Sequence, residues 1–335
     1  MILVIGASGF IGNYLIDDLI NNGYEVFATC RNDAALQYFK TKKIKCCYLD
    51  ISDKHSFDKL PSKQIEAVIL LAALLPANVS NYDPYKYIDI NITGTLNVLE
   101  FCRIHGIKKI IYTTSYFDVY NHWEKGNPIK DDILRSYPLI GDHAMYIISK
   151  NAATDFVLHY NEEYDFQGIV FRLPPVYGYG PHSEIYVDGK FYKSGFQIFL
   201  EKAISGENIE IFGDKTISRD IVYVKDVTQA FIKAIKSNSA RGIYNISSGI
   251  AETLEQQVQD IVEIFGKEGK KSTITHSPDK KNNAKSFILD ISKAKNDFNY
   301  EPQFIPFKKL LMDYKKEMND KKYKEINISR IKKQQ

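Results

Sequence analysis

Cysteine is scarce in this sequence and shows no arrangement typical of a metal site or a disulfide framework. The four cysteines, Cys30, Cys46, Cys47 and Cys102, form no CxxC pair and have no histidine nearby at metal-ligand spacing. Cys46 and Cys47 are adjacent, and neighbouring residues seldom reach the Cα separation that a disulfide needs. We therefore expect no metal and a reducing, cytoplasmic location.

Long hydrophobic segments and strong net charge are also missing. The longest apolar run, residues 67–76, is far shorter than the ~18 residues that a membrane span needs. The first residues lack the basic region and cleavage site of a signal peptide. A formal net charge of +3 is too small to indicate nucleic acid as a partner. The sequence predicts a soluble protein that binds neither membrane nor nucleic acid.

Short apolar runs alternate with helical patterns through the first half of the 335 residues. Strands are predicted over residues 2–5, 25–29, 45–49, 67–71, 109–114 and 168–171. The clearest helical patterns between them cover residues 11–21, 88–105 and 145–164. Strands that alternate with helices favour an α/β fold, namely a doubly wound, mostly parallel sheet with right-handed crossovers.

The pattern changes after residue 171, where Pro174, Pro175 and Gly178 interrupt a stretch rich in tyrosine and glycine. Shorter elements follow, predicted as helices near 196–204, 226–236 and 254–265 and a strand near 209–212. We expect a first domain over residues 1–172, which also receives residues 214–248. A smaller α/β part over 173–335 completes the chain, with a basic, solvated tail over 321–335.

A glycine-rich turn joins the first predicted strand to the first predicted helix. Gly6, Gly9 and Gly12 give a tight turn, close approach of the backbone to a pyrophosphate, and close helix–strand packing. The free N–H groups and dipole of the helix that follows favour the diphosphate. This context predicts a Rossmann domain that binds NAD(P), with contacts from Gly6, Ser8, Gly9, Phe10, Ile11 and Gly12.

The end of the second predicted strand bears on which dinucleotide binds. An acid at this end would bond the ribose 2′-hydroxyl of NAD, whereas arginine suits the 2′-phosphate of NADP. The strand ends in Cys30 and is followed by Arg31, so no acid occupies its end. We expect NADP to be preferred over NAD. In the alternative, Arg31 is a surface residue and Asp33 turns back to the ribose.

Tyr146 and Lys150 lie one turn apart on the helix predicted over 145–164. A neighbouring ammonium would lower the pKa of the tyrosine from about 10, so the pair can exchange a proton with a substrate hydroxyl. Thr114 and Ser115 lie at the carboxyl end of the fifth predicted strand and would face the same crevice, because ligands bind at the carboxyl ends of parallel strands. Either hydroxyl could steady the reacting oxygen.

With this turn, these hydroxyls and this pair in order, the chain resembles an extended short-chain dehydrogenase/reductase of the nucleotide-sugar epimerase/dehydratase/reductase branch. The resemblance runs from residue 1 to about residue 305. It implies further cofactor contacts from Arg31, Asp50, Ile51, Leu71, Ala72, Ala73, Asn91, Tyr146, Lys150, Leu173 and Val176. It implies substrate contacts from Asn91, Ser115, Tyr177, Arg219 and Lys280, with Arg219 on the nucleotide diphosphate.

Four departures from the family pattern affect the expected reaction. One extra residue follows Ser115, which leaves Thr114 as a rival for the catalytic hydroxyl. Tyr116 and Phe117 stand where dehydratases carry an Asp-Glu pair, which argues against 4,6-dehydration. A second diphosphate-binding arginine is replaced by Lys280 or its neighbour at 281. Epimerases of the family that hold NAD usually carry the acid missing at position 30.

The leading expectation is NADPH-dependent reduction of a 4-keto group, or the reverse oxidation, on the hexose of a nucleotide sugar. A 4-epimerase using the same residues is the close alternative, since it would oxidise the carbon and reduce it again. Two further alternatives are a reductase of non-nucleotide carbonyls and a non-catalytic NADP-binding regulator. We also expect a homodimer formed through helices 88–105 and 145–164, and an active-site lid or wall over residues 116–143. In the alternative, the segment over 116–143 is a surface insertion with buried anchors.

Overall fold

The alternating strands and helices of the first half form one parallel sheet. The computed structural model describes residues 1–76, 82–141, 143–180, 184–187, 190–282 and 284–320. The strands are β1 (Ile2–Ile5), β2 (Val26–Cys30), β3 (Lys45–Tyr48), β4 (Ala67–Leu70), β5 (Lys109–Ser115), β6 (Gln167–Leu173), β7 (Val176–Tyr177), β8 (Glu184–Val187), β9 (Lys190–Lys193), β10 (Ile209–Phe212), β11 (Ser218–Asp220), β12 (Val222–Tyr223), β13 (Gly242–Asn245), β14 (Ala251–Thr253) and β15 (Ile274–Ser277).

Ten α-helices accompany these strands within the described residues. They are α1 (Phe10–Asn21), α2 (Asp33–Thr41), α3 (Pro84–Tyr87), α4 (Gly94–Ile104), α5 (Ala144–Tyr164), α6 (Gly195–Ser205), α7 (Val224–Lys236), α8 (Leu254–Phe265), α9 (Ser292–Phe298) and α10 (Phe307–Asp320). The chain also forms 3-10 turns over Lys54–Lys59 and Tyr116–His122.

The central sheet has seven parallel strands in the order β13-β6-β5-β4-β1-β2-β3. The apolar runs of β1 and β4 are buried along their whole length, which explains why they occupy the middle. The chain moves outward from β1 to β3 and then returns to β4 on the other side of β1. This reversal opens a crevice at the carboxyl ends of β1 and β4, and it confirms the predicted doubly wound fold.

Helices cover both faces of this sheet and make two hydrophobic cores. Helices α1, α2, α7 and α9 pack on one face, with Leu15, Phe39 and Phe231 among the buried residues. Helices α4 and α5 pack on the other face, where they bury Val98 and Val157. Because α7 and β13 belong to this first unit, residues 224–245 return to the sheet from the second half of the sequence.

The helix predicted over 88–105 is interrupted. Its first part, Ile88–Thr93, is a π-helix, and α4 begins only at Gly94. A Cβ at Gly94 would lie 2.6 Å from the side chain of Ile51, so the glycine lets α4 approach this residue closely. A π-helical turn inside a helix often accompanies a functional site. The hydrophobic pattern of the sequence did not reveal it.

A third core joins the remaining C-terminal elements. Helices α6, α8 and α10 enclose it together with the parallel pair β10 and β15. Helix α10, which begins at Phe307, was not predicted from the sequence. The basic tail over 321–335 lies outside the described residues. No helix within the described part of the chain is long and apolar enough to cross a membrane.

Candidate active site

The glycine-rich turn between β1 and α1 has room for glycine alone at two positions. Gly6 has a positive φ of +87°, and a Cβ there would lie 2.6 Å from the backbone nitrogen of Ala72. A Cβ at Gly12 would lie 2.5 Å from the carbonyl oxygen of Ala7. Helix α1 begins at Phe10 with no side-chain cap, so its first N–H groups face outward. The turn therefore fits a dinucleotide diphosphate.

A cavity of about 580 Å³ lies over this turn, in the crevice between β1 and β4. Most of the residues predicted for the cofactor and the chemistry line it: Gly6, Ser8, Gly9, Phe10, Ile11, Gly12, Arg31, Ile51, Leu71, Ala72, Ala73, Thr114, Ser115, Tyr146, Lys150, Leu173 and Val176. Its wall also includes residues that the sequence did not single out for a role: Ile5, Cys30, Asn32, Ala35, Leu49, Leu75, Ile90, Thr113, Tyr116 and Pro174.

Arg31 stands at the far end of this cavity, beyond β2. One of its guanidinium nitrogens lies 3.4 Å from a carboxylate oxygen of Asp50, and half of the side chain is exposed. Burial tends to raise the pKa of Asp50, but hydrogen bonds from Ser52 and the charge of Arg31 bring it below its usual value. Asn32 caps α2 by accepting from the N–H of Ala34 at 2.8 Å. Asp50 is not among the residues that line the cavity, so this end presents the guanidinium of Arg31 to a ligand. The contact of Asp50 with a cofactor stays a prediction.

Tyr146 and Lys150 lie in the first turns of α5 and face the cavity. Lys150 is only 3% exposed, and burial lowers its pKa to about 7. Its ammonium lies 3.9 Å from the centre of the Tyr112 ring. The expectation that the pKa of Tyr146 is lowered is wrong for the protein alone. Burial raises that pKa, and the nearby Asp118 raises it further.

Two hydroxyls at the end of β5 remain candidates for the reacting oxygen. Ser115 Oγ accepts from the backbone N–H of Phe117 at 3.3 Å, which begins the 3-10 turn. Thr114 Oγ1 is buried and has no hydrogen-bond partner among the described residues. A buried hydroxyl without a partner is costly in a folded protein, so Thr114 has a free bond to offer at this cavity. The geometry therefore does not decide between Ser115 and Thr114 as the catalytic hydroxyl.

Asn91 lies behind the cavity wall, in the π-helical segment. Its carbonyl oxygen accepts from the N–H of Leu74 at 2.7 Å, and its amide donates to the carbonyl oxygen of Leu74 at 3.1 Å. The amide also donates to Ser149 Oγ at 2.9 Å, which in turn donates to the backbone carbonyl of Tyr146 at 2.8 Å. Asn91 thus ties the loop after β4 to the first turn of α5. Its direct contact with a ligand stays a prediction.

Arg219, on β11, lies beside a residue that the sequence analysis gave no role. Its Nη2 donates to the hydroxyl of Tyr116 at 3.1 Å, while its Nε is buried and has no partner within the described residues. Tyr177 lies close by: burial raises its pKa and the charge of Arg219 opposes that shift. The side chains of Arg219, Tyr116 and Tyr177 therefore converge. The predicted substrate contacts of Arg219 and Tyr177 stay predictions.

Lys280 is engaged away from these residues. Its ammonium contacts both carboxylate oxygens of Glu210, at 2.7 and 2.8 Å, and lies over the ring of Phe212. Its neighbour Lys281 is exposed. The carboxylate of Glu210 thus already pairs with the positive charge that would attract a diphosphate. The diphosphate role of Lys280 stays a prediction, with this ion pair against it.

Residues 116–141, the described part of the segment predicted as a lid or wall before residue 142, are fixed to the body of the protein by a buried ion pair. Arg172 is fully buried and donates through Nε to Asp118 at 2.8 Å and through Nη1 to Asn245 at 3.0 Å. Burial raises the pKa of Asp118, and the charge of Arg172 opposes this. Trp123 is also buried. The segment lines the cavity as a wall through Tyr116; movement as a lid stays a prediction.

Asp118 is thereby withheld from chemistry. Its two carboxylate oxygens both accept from Arg172, at 2.8 and 3.1 Å. A carboxylate held in this way does not reach into the cavity, and Asp118 is not among the residues that line it. Within the described residues, the cavity therefore presents Tyr146 as an acid–base group beside the buried Lys150, and no carboxylate lines it.

Comparison with known proteins matches this geometry to a family. The model of the NAD dependent epimerase/dehydratase family matches residues 2–247. The chain belongs to this family. The resemblance found in the sequence is thus confirmed.

Individual relatives match over nearly the whole chain. A putative UDP-glucose 4-epimerase of Methanocaldococcus jannaschii is 31% identical over 88% of this chain and 92% of its own length. A UDP-glucuronate 4-epimerase of Thermodesulfobacterium geofontis is 30% identical over 90% of this chain and 91% of its own. The crystal structure of UDP-glucose 4-epimerase from Thermotoga maritima, with UDP-glucose, superimposes with a TM-score of 0.78 and 27% identity, covering 95% of this chain and 98% of that one.

Proposed function

We propose that the protein is a nucleotide-sugar 4-epimerase that uses an NAD(P) cofactor. The observation that carries the proposal is the cavity itself, which brings Tyr146, Lys150 and Ser115 together over the glycine-rich turn. One acid–base group serves reversible oxidation at a single carbon, whereas elimination needs a second one. Asp118, the nearby acid, is occupied by Arg172. The relatives at 30% and 31% identity are named as 4-epimerases, which supports this order of preference.

The chain's own residues perform the proton transfer. When bound, the nicotinamide dinucleotide supplies hydride exchange and, in its oxidised form, a positive charge. Tyr146 Oη takes the proton of the sugar hydroxyl when that carbon is oxidised and returns it when the carbon is reduced. Ser115, or Thr114 in its place, donates a hydrogen bond to the same oxygen. Lys150 holds a ribose hydroxyl and, when protonated, favours the phenolate of Tyr146.

The substrate that we propose is a uridine diphosphate hexose. Support comes from the names of the relatives and from the guanidinium of Arg219, whose buried Nε lacks a partner among the described residues. A guanidinium presents its donors in a planar fork that matches phosphate oxygens. Arg219 would bind the diphosphate and Tyr177 would contribute to the same subsite. Lys280 would join them only by leaving Glu210.

A second candidate is NADPH-dependent reduction of a 4-keto sugar, which the sequence analysis placed first. Arg31 favours it, because a guanidinium and no acid follows the end of β2. One observation opposes it: the relatives named above are called epimerases. We propose NADP(H) as the preferred cofactor in either case, on the strength of Arg31.

Product analysis by NMR distinguishes the two reactions. Purified protein would be incubated with UDP-glucose, UDP-galactose or UDP-glucuronate and a trace of NAD or NADP. An epimerase interconverts the C4 isomers with no net change in nicotinamide absorbance at 340 nm. A reductase leaves these sugars unchanged and consumes one NADPH for each 4-keto sugar supplied. If the wild type binds UDP-sugars but catalyses neither reaction, and is no more active than its Tyr146→Phe variant, both proposals are contradicted.

A further inference from the structure

The hydroxyl of Tyr116 lies between the diphosphate-binding candidate and the catalytic residues. It is 3.1 Å from Arg219 Nη2, and Tyr116 lines the same cavity as Ser115 and Tyr146. Tyr116 is only 8% exposed, so it is buried in the wall of the cavity. Tyr116 therefore links two parts of the site that lie 103 residues apart in the sequence.

Hydrogen-bond accounting determines what this hydroxyl has left to offer. A guanidinium has five donors and no acceptor, so the oxygen of Tyr116 accepts from Arg219 and keeps its own proton for another partner. The described residues provide no acceptor for that proton. Arg219 Nε is in the same situation, being buried without a partner among them. Two neighbouring side chains thus each keep one donor without a partner among the described residues. A phosphate group has enough oxygens to accept from both.

The ring of Tyr116 is held rigidly, which fixes the position of its hydroxyl. It stacks on Trp123 with ring centres 4.9 Å apart and planes 11° apart. Phe287 packs against it with ring centres also 4.9 Å apart. Donors that are fixed before a ligand arrives bind it without further ordering of the side chain.

We propose that Tyr116 binds the β-phosphate of the nucleotide sugar, side by side with Arg219. The inference rests on the proposed function, because it takes a nucleoside diphosphate sugar as the ligand. Tyr116 directly follows Ser115, which marks the sugar end of the site, so the phosphate within its reach is the one attached to the sugar. Tyr116 then fixes the distance between the anchored diphosphate and the carbon that reacts.

The test compares binding of UDP and UMP to the full chain by calorimetry. Tyr116→Phe removes one hydroxyl and keeps the ring in its stack. We expect the variant to bind UDP about 10-fold or more weakly, since a hydrogen bond to a charged group is lost. UMP, which lacks the β-phosphate, should bind as it does to the wild type. Tyr120→Phe is the matched control, because Tyr120 lies in the same aromatic cluster and does not line the cavity.

The same substitution in an Arg219→Gln protein distinguishes two roles of Tyr116: direct contact with the phosphate, and positioning of the Arg219 side chain. If Tyr116 touches the phosphate itself, Tyr116→Phe should still weaken UDP binding in an Arg219→Gln protein. Loss of that effect would show that Tyr116 only positions the guanidinium, and would overturn the proposal. Equal losses for UDP and UMP, or no loss for UDP, would overturn it too. Failure of the wild type to bind UDP, dTDP, GDP or CDP would instead overturn the proposed function.

Discussion

Lys150→Met is the substitution whose effect on stability follows most directly from the structure. The ammonium of Lys150 is buried in the cavity wall, and its described neighbour is the face of the Tyr112 ring. Burial lowers its pKa from 10.5 to about 7. Methionine has a similar length and no charge, so it removes the desolvated group without leaving a large hole. We expect the variant, without cofactor, to be more stable than the wild type at pH 7.

Proton linkage gives the sign of this gain in unfolding free energy and the pH range over which it changes. Between pH 7 and 10.5 the unfolded chain keeps the proton on Lys150 while the folded chain releases it. The unfolding free energy of the wild type therefore rises with pH across this range. The destabilisation is fully present below pH 7 and is gone above 10.5. At about 1.36 kcal/mol for each unit of pKa, it has an upper bound of about 4 kcal/mol at pH 7; contact with Tyr112 and water in the cavity reduce it.

The assay is urea unfolding of both proteins from pH 7 to pH 10. Buried carboxyl groups such as Asp131 and Asp220, whose pKa burial raises to about 6, titrate below this range and are common to both proteins. The stability gap should narrow by about 1–4 kcal/mol as the pH rises. If the difference in unfolding free energy between the two proteins does not change with pH, the claim that burial lowers the pKa of Lys150 is refuted. The same variant should bind the dinucleotide about 10-fold more weakly, because Lys150 would no longer hold the ribose.

Four other outcomes can be measured with the same purified protein. Tyr146→Phe should reduce turnover by about 10²–10⁴-fold and leave dinucleotide binding intact by calorimetry; near-normal turnover would contradict the acid–base role. Ser115→Ala should reduce turnover more than Thr114→Ala does, and the reverse order would make Thr114 the catalytic hydroxyl. Calorimetry should show NADP(H) binding more tightly than NAD(H), and Arg31→Asp should reverse this order; tighter NAD(H) binding by the wild type contradicts it. Light scattering at micromolar concentration should give a dimer formed through α4 and α5, and a monomer would be the contrary result.

The parts of the fold that local patterns determine were predictable. Strands β1 and β4 are short apolar runs that the sheet buries on both faces, and their predicted bounds differ by no more than one residue from those observed. The turn over Gly6–Gly12 was predictable for a similar reason. Its glycines are required by contacts within the turn and with the next strand, such as the 2.5 Å between a Cβ at Gly12 and the oxygen of Ala7. Such requirements leave a fixed spacing in the sequence.

Side chains that depend on distant partners were not predictable in this way. Lys280 occupies the place of a diphosphate ligand in the family pattern, but the pairing of β10 with β15 brings Glu210 to its ammonium. Glu210 can be recognised as the neighbour of Lys280 only once the pairing of these two strands is known. The same holds for Tyr116, because its contact with Arg219 joins residues that lie 103 positions apart in the sequence. The roles of family motif residues can thus be assigned to this chain with success where backbone contacts within the crevice require those residues. At the rim of the site, where a charge can pair with another element of the same chain, the residue type alone does not fix the role.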